Sequence, residues 1–487
     1  MIYLAWTLPA LVVVGAIASG RLGTLAASLL GLAVALLAAL TTAPIEFSLG
    51  DATLAVARGA WIGWTVVPYI LGGLLFWQMA VRPDSAAVPA ESGLKDTRSK
   101  RRLLFTACFL IGPFAESATG FGIGIIGTMT LVRRLDLAPI YLLAFSLLSQ
   151  TMILWGGMGS GAIVAAAFAR TDPTTLAVHT SFFLVAFNAL WLPLYWRMAD
   201  KAGLAVGWSE RISEAVWLGA SVAGVIAATA LLGPETAMLA SYGPAILLRW
   251  LADERPDRQT IVLAARRMAP FAILIGWLVV TRLVTPLTQF LEATGRIQPF
   301  AGVPPWSPLF HAGTWLVVGA LLTGLLRWHP SAFYSEIRAT WRAGRLAVLT
   351  IVIFAMMAEL LSGSGIAQGL ARGMFSLLDR WAVVATPMIS AVFGSLANSG
   401  NAANGLFMAS QVSLAVDASL NVAAVIALQH AASLSLNMIS PVRMSIVCGL
   451  AGTPGKERDA YRMMLPFVGV VIVTLLVAGT LVAVRIL

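Results

Sequence analysis

The sequence predicts an all-α polytopic membrane protein with about twelve transmembrane helices and two re-entrant hairpins in an inverted repeat. Three observations carry that reading. The 487 residues are 59% hydrophobic and 11% charged, with a mean hydropathy of +0.86, too little charge for a soluble surface. Apolar runs of bilayer length recur along the whole chain. Two of these runs are interrupted by glycine and polar residues, each in the same local order.

In chain order, apolar runs fall near 2–19, 22–41, 60–81, 138–168, 175–196, 214–232, 237–252, 268–286, 308–326, 346–361, 419–445 and 463–485. The first, "MIYLAWTLPALVVVGAIASG", lacks a basic leading region and reads as a span rather than a cleaved signal. "VRPDSAAVPAESGLKDTRSKRR" holds Arg82, Lys95, Arg98, Lys100, Arg101 and Arg102, which places it in the cytoplasm, whereas the loop with Glu46 and Asp51 has no base and lies outside. The later basic stretches, Arg197 to Arg211, Arg249 to Arg267, Arg327 to Arg345 and Lys456 to Arg462, then all fall inside if both termini are outside. The net charge of +10 is assigned to loops at an anionic leaflet, not to nucleic-acid binding. Cys108 and Cys448 lie in apolar segments and suggest no disulfide framework.

The interrupted segments, 103–131 and 381–415, break the alternation. The first enters and leaves on the basic side, the second near Asp417 on the other, so both read as re-entrant. "YLLAFSLLSQTMILWGGMGSG" follows the first and "NVAAVIALQHAASLSLNMISP" the second. Each is a long apolar helix with a central glutamine, Gln150 or Gln429, and then a small-residue break. The two units, 60–232 and 308–487, read as repeats of opposite orientation within a single domain spanning 1–487.

The candidate site follows from these breaks. "FAESATGFGIGIIG" places Glu116 among Gly120, Gly122, Gly124 and Gly127. An intramembrane carboxylate is a functional candidate, commonly a proton carrier, and the competing reading is a cap on the N-terminus of a broken helix. Ser117, Thr119, Gly120 and Gly122 complete the first hairpin's candidates for substrate binding. Asn398, Ser399, Asn401 and Asn404 are those of the second, where such side chains either coordinate a ligand or satisfy turn backbone. His430 is a candidate proton shuttle or a residue bonded across helices. After the proline of "NMISP", Ser440 and Arg443 join the substrate-binding set. The Arg443 guanidinium either grips a carboxylate with two hydrogen bonds or snorkels to headgroups. Glu235 is assigned to interfacial solvation, and Glu359, in "MMAELLSGSG", stands beside another small-residue break. No HExxH or CxxC, no supported GxSxG and no phosphate loop appears, and the GFGIG run lacks the strand and acid of a dinucleotide site. A polytopic membrane enzyme or sensor is the reading from another class, and the loops look too short and basic to supply its chemistry. No metal site or cofactor is expected.

At these residues the chain resembles the lactate permease family of bacterial carboxylate transporters. "GPFAESATGFG" is similar to the family's glutamate-bearing hairpin, "GGMGSG" to the break after it, "NGLF" to the second hairpin and "SLNMISPVRMSIVCGLAGTPGKERD" to its C-terminal stretch. The resemblance runs from about residue 60 to the C-terminus. It implies import of lactate, glycolate or related 2-hydroxy monocarboxylates with protons, across a bacterial inner membrane, by an elevator-like movement. Sodium coupling is the alternative, and homo-oligomerisation is left open. This chain departs from the family pattern in having Gly400 where the family usually has Asp, Asn437 where it has Lys, and Arg443 where it has a small polar residue. An acid and a base have gone together, as a pair would, and a basic group has moved. The expectation is therefore the carboxylate class rather than lactate alone.

Overall fold

Helix after helix follows the apolar runs. The computed structural model describes residues 2–81, 96–120, 122–150, 153–327 and 330–487. The basic residues Arg82 and Lys95 lie outside these. Among the described residues nine helices are long and apolar enough to cross a bilayer, and shorter apolar helices (Ile2–Ala18, Pro139–Leu148, Gly157–Ala169, Ala312–Leu326) accompany them. The only strand-like feature among them is one isolated bridge, Ile297 to Trp306. The protein is an all-α polytopic membrane protein.

The first interrupted segment is longer than the sequence suggests. It runs Thr97–Thr106, a π turn at Ala107–Ile111, Gly112–Thr119 and, after the break, Ile123–Val132. Arg98, Arg101 and Arg102 therefore lie on a helix rather than in a loop. The two arms fold back around Gly120, whose φ of +70° suits glycine. A Cβ on Gly124 would lie 2.6 Å from the Gly112 carbonyl oxygen and 2.8 Å from Glu116 Cβ, so only glycine lets the arms close this far. Pro139–Leu148 and Ser160–Ala169 then form one span broken between them.

The second unit repeats the order. Arms Ala382–Ala397 and Gly400–Asp417 turn at Asn398, in the left-handed region that asparagine tolerates. Val422–Ser435 and Pro441–Leu450 form the second broken span. A helix at Ile366–Leu378 precedes this hairpin and was not expected from the sequence, because Gln368 and Arg372 interrupt its apolar run.

Two ion clusters mark opposite ends of helix Pro173–Lys201. Just before its start, Arg170 meets Glu359 at 2.9 Å, and Glu359 also holds Arg58 at 3.0 Å. At its far end Asp200 pairs with Arg211 at 2.6 Å, beside Arg101, which forms a bidentate pair with Glu214 at 2.6 and 3.0 Å. Glu210 accepts from Arg98, Arg102 and Arg249. Arg101 and Arg249 are buried. Part of the positive charge assigned to leaflet-facing loops is thus spent inside the protein, where unpaired ions would be costly. Glu235 is likewise paired, with Arg282 at 3.2 Å, rather than simply solvated.

Candidate functional site

Both hairpins and both broken spans converge on one cavity of about 70 Å³. Glu116, Thr119 and Gly120 reach it from the first hairpin; Gln150, Ile153, Gly156, Gly157 and Ser160 from the first broken span. Asn398, Ser399, Gly400 and Asn401 come from the second hairpin; Leu434, Asn437 and Arg443 from the second broken span. Ile70 and Ile351 close it from the long helices Leu49–Val81 and Pro330–Gly363. Drug-sized ligands occupy about 300–1,000 Å³, so this cavity suits a molecule of a few heavy atoms.

Broken backbone positions the polar groups. Glu116, buried near the end of its arm, accepts the Gly122 N–H at 2.9 Å and the Gly124 N–H at 3.0 Å. Those N–H groups open the next helix and favour a negative charge. Ser440 caps Pro441–Leu450, accepting from the Arg443 N–H. This places Arg443 in a first helical turn, the positive end of the dipole, where a cation needs compensation.

That compensation comes from three different elements. The Arg443 Nε donates to Asn398 Oδ1 at 3.1 Å, Nη1 to Gln150 Oε1 at 2.7 Å and Nη2 to Glu116 Oε1 at 3.3 Å. The side chain turns into the cavity rather than along its helix towards headgroups. A guanidinium has five N–H donors; these contacts leave donors over for a bound anion. Beside these polar groups the lining includes the apolar Ile70, Ile153, Ile351 and Leu434. Chemically, the arrangement can accept a small, partly apolar anion.

The remaining candidates fall elsewhere. Ser117 donates to the Phe114 carbonyl, and Gly122 serves Glu116 through its N–H; neither lines the cavity. Asn404 and His430 are fully buried and bonded to each other across helices at 3.0 Å, outside the cavity lining. The structure does not bring His430 to Glu116. Gln429, the counterpart of Gln150, bonds Ser390 Oγ at 2.7 Å and is also outside the lining. Conversely, Gln150 and Asn437 are cavity residues that sequence reasoning did not include in the site. Gln150 carried a signal, a lone amide in the middle of an apolar span. Among the described residues no group of His, Cys, Asp and Glu could hold a metal ion, and Cys108 and Cys448 are free.

Residues 294–487 match the family model described as L-lactate permease. Over 482 residues the chain is 23% identical to an L-lactate permease of Salmonella typhi, covering 89% of this chain and 86% of that one. The corresponding protein of Escherichia coli K12 is 23% identical over 86% of this chain and 84% of its own. That of Bacillus subtilis 168 is 22% identical, over 95% and 92%.

Proposed function

We propose that this chain is a divergent member of the lactate permease family, as the match of residues 294–487 and the 22–23% identity to L-lactate permeases over most of the chain support, and that it is a secondary transporter that imports lactate, glycolate or a related 2-hydroxy monocarboxylate with a proton. The observation that carries this reading is the Glu116–Arg443 pair in a cavity shared by both hairpins. While Glu116 is ionised it satisfies Arg443, and its charge repels a second carboxylate. Protonation removes that charge and loosens its hold on Nη2. The substrate carboxylate then takes Arg443, with Gln150 and Asn398 keeping the guanidinium in place. The hydroxyl faces Asn401 or Ser160, and the methyl group faces the apolar wall. Proton and anion favour each other's binding, which is the reciprocal coupling that symport needs. No bond is made or broken in the substrate.

In proteoliposomes an inward-directed proton gradient is expected to concentrate labelled lactate or glycolate. Accumulation driven by a sodium gradient instead would overturn proton coupling, and no uptake of any 2-hydroxy monocarboxylate would overturn the substrate class.

We read the units 60–232 and 308–487 as inverted repeats, with both termini outside a bacterial inner membrane. With Cys108 and Cys448 replaced by serine, cysteines at the exposed positions Thr97 and Asp417 should react with impermeant reagent from opposite faces, Thr97 from the cytoplasm. Labelling from one face would sink the inverted repeat.

A further inference from the structure

We propose that Leu434 sets the length of side chain that the bound anion can carry; this deepens the small-carboxylate reading above and rests on it. Leu434 belongs to the second broken span but fills a notch made by two other elements. Its Cγ and Cδ2 lie 2.4 and 2.5 Å from where a Cβ on Gly400 would stand. Its Cδ1 lies 3.1 Å from the corresponding point on Gly161, in the first broken span. The side chain fits because both neighbours are glycine. Being half-buried, it turns its remaining surface to the cavity.

The other apolar walls are less free to define that length. Ile70 and Ile351 belong to the long helices Leu49–Val81 and Pro330–Gly363, which touch through backbone: a Cβ on Gly59 would stand 2.4 Å from Met356 Cα. Ile153 lies in the break itself and is buried. Leu434 is the wall residue that both lines the cavity and joins the hairpin carrying Asn398 to the span carrying Gln150. Shortening it opens space in the cavity that Arg443 also lines, without removing a polar contact. The carboxylate stays where it is, and the freed volume accepts a longer aliphatic chain.

The experiment is competition among glycolate, lactate, 2-hydroxybutyrate and 2-hydroxyisocaproate for uptake by wild type, Leu434→Val and Leu434→Ala in proteoliposomes. Purified protein is also tested for ligand-induced thermal shifts, so that a variant with poor transport still reports binding. Differences of one methylene in an apolar pocket typically change discrimination by about 10- to 200-fold. The ratio of long-chain to lactate uptake or binding should rise by roughly tenfold in Leu434→Ala, with Leu434→Val between it and wild type. An unchanged ratio in variants that still bind lactate overturns the proposal for Leu434 while leaving the transport reading intact. A wild type that neither binds nor transports any of the four acids overturns both. If Leu434→Ala does not fold, the Leu434→Val ratio decides.

Discussion

Arg443→Gln is expected to lose substrate binding almost completely. The guanidinium is the only cation lining the cavity among the described residues, and three elements point acceptors at it. Removing a buried partner of an anion costs about 2–5 kcal/mol, roughly 30-fold to a few thousand-fold in affinity. Glu116 would also be left as a buried carboxylate served only by the Gly122 and Gly124 N–H groups. Arg443→Lys keeps the charge but cannot bond Asn398, Gln150 and Glu116 in one plane, so it should weaken binding markedly and by less than Gln. Substrate affinity measured in nanodiscs checks this order. Unchanged affinity in both variants would remove Arg443 from recognition.

Glu116→Gln should separate binding from coupling. The amide imitates the neutral acid, so substrate exchange across the membrane should persist while accumulation against a pH gradient is lost. The geometry adds a structural cost. The Glu116 carboxylate accepts two backbone N–H groups, one on each oxygen, whereas glutamine offers a single acceptor and turns an NH2 towards the other donor. Leaving that buried N–H unmet costs about 1–3 kcal/mol of stability, so exchange must be compared per folded, reconstituted molecule. Normal accumulation by this variant would show that Glu116 is a cap and not the proton site.

The apolar helices, and the two segments that fold as helical hairpins, were legible because hydropathy and glycine are local signals. So was the shared order of hairpin and broken helix. Partnerships were not. Arg443 and Glu116 are 327 residues apart and Arg101 and Glu214 are 113 apart, and nothing local in a linear sequence joins them. Arg101 therefore read as a loop charge when it is a buried base, and Glu235 as a solvated acid when it is paired with Arg282. His430 had the right residue type at the right depth, but its helix turns it towards Asn404 rather than the cavity. Gln150 was visible as a central amide, yet only the fold shows that its carbonyl meets Arg443. The helix Ile366–Leu378 was hidden because its polar residues interrupt an otherwise apolar run.

The pairing of Glu116 with Arg443 has an electrical consequence under this transport reading. The empty cavity holds one acid and one base whose charges cancel. The loaded cavity holds a neutral Glu116, Arg443 and the anion, and these cancel as well. Moving one elementary charge through 100 mV of membrane potential is worth about 2.3 kcal/mol, and neither half of the cycle would meet that term. Voltage alone would then drive nothing through this carrier, and a pH difference alone would suffice, even across a depolarised membrane.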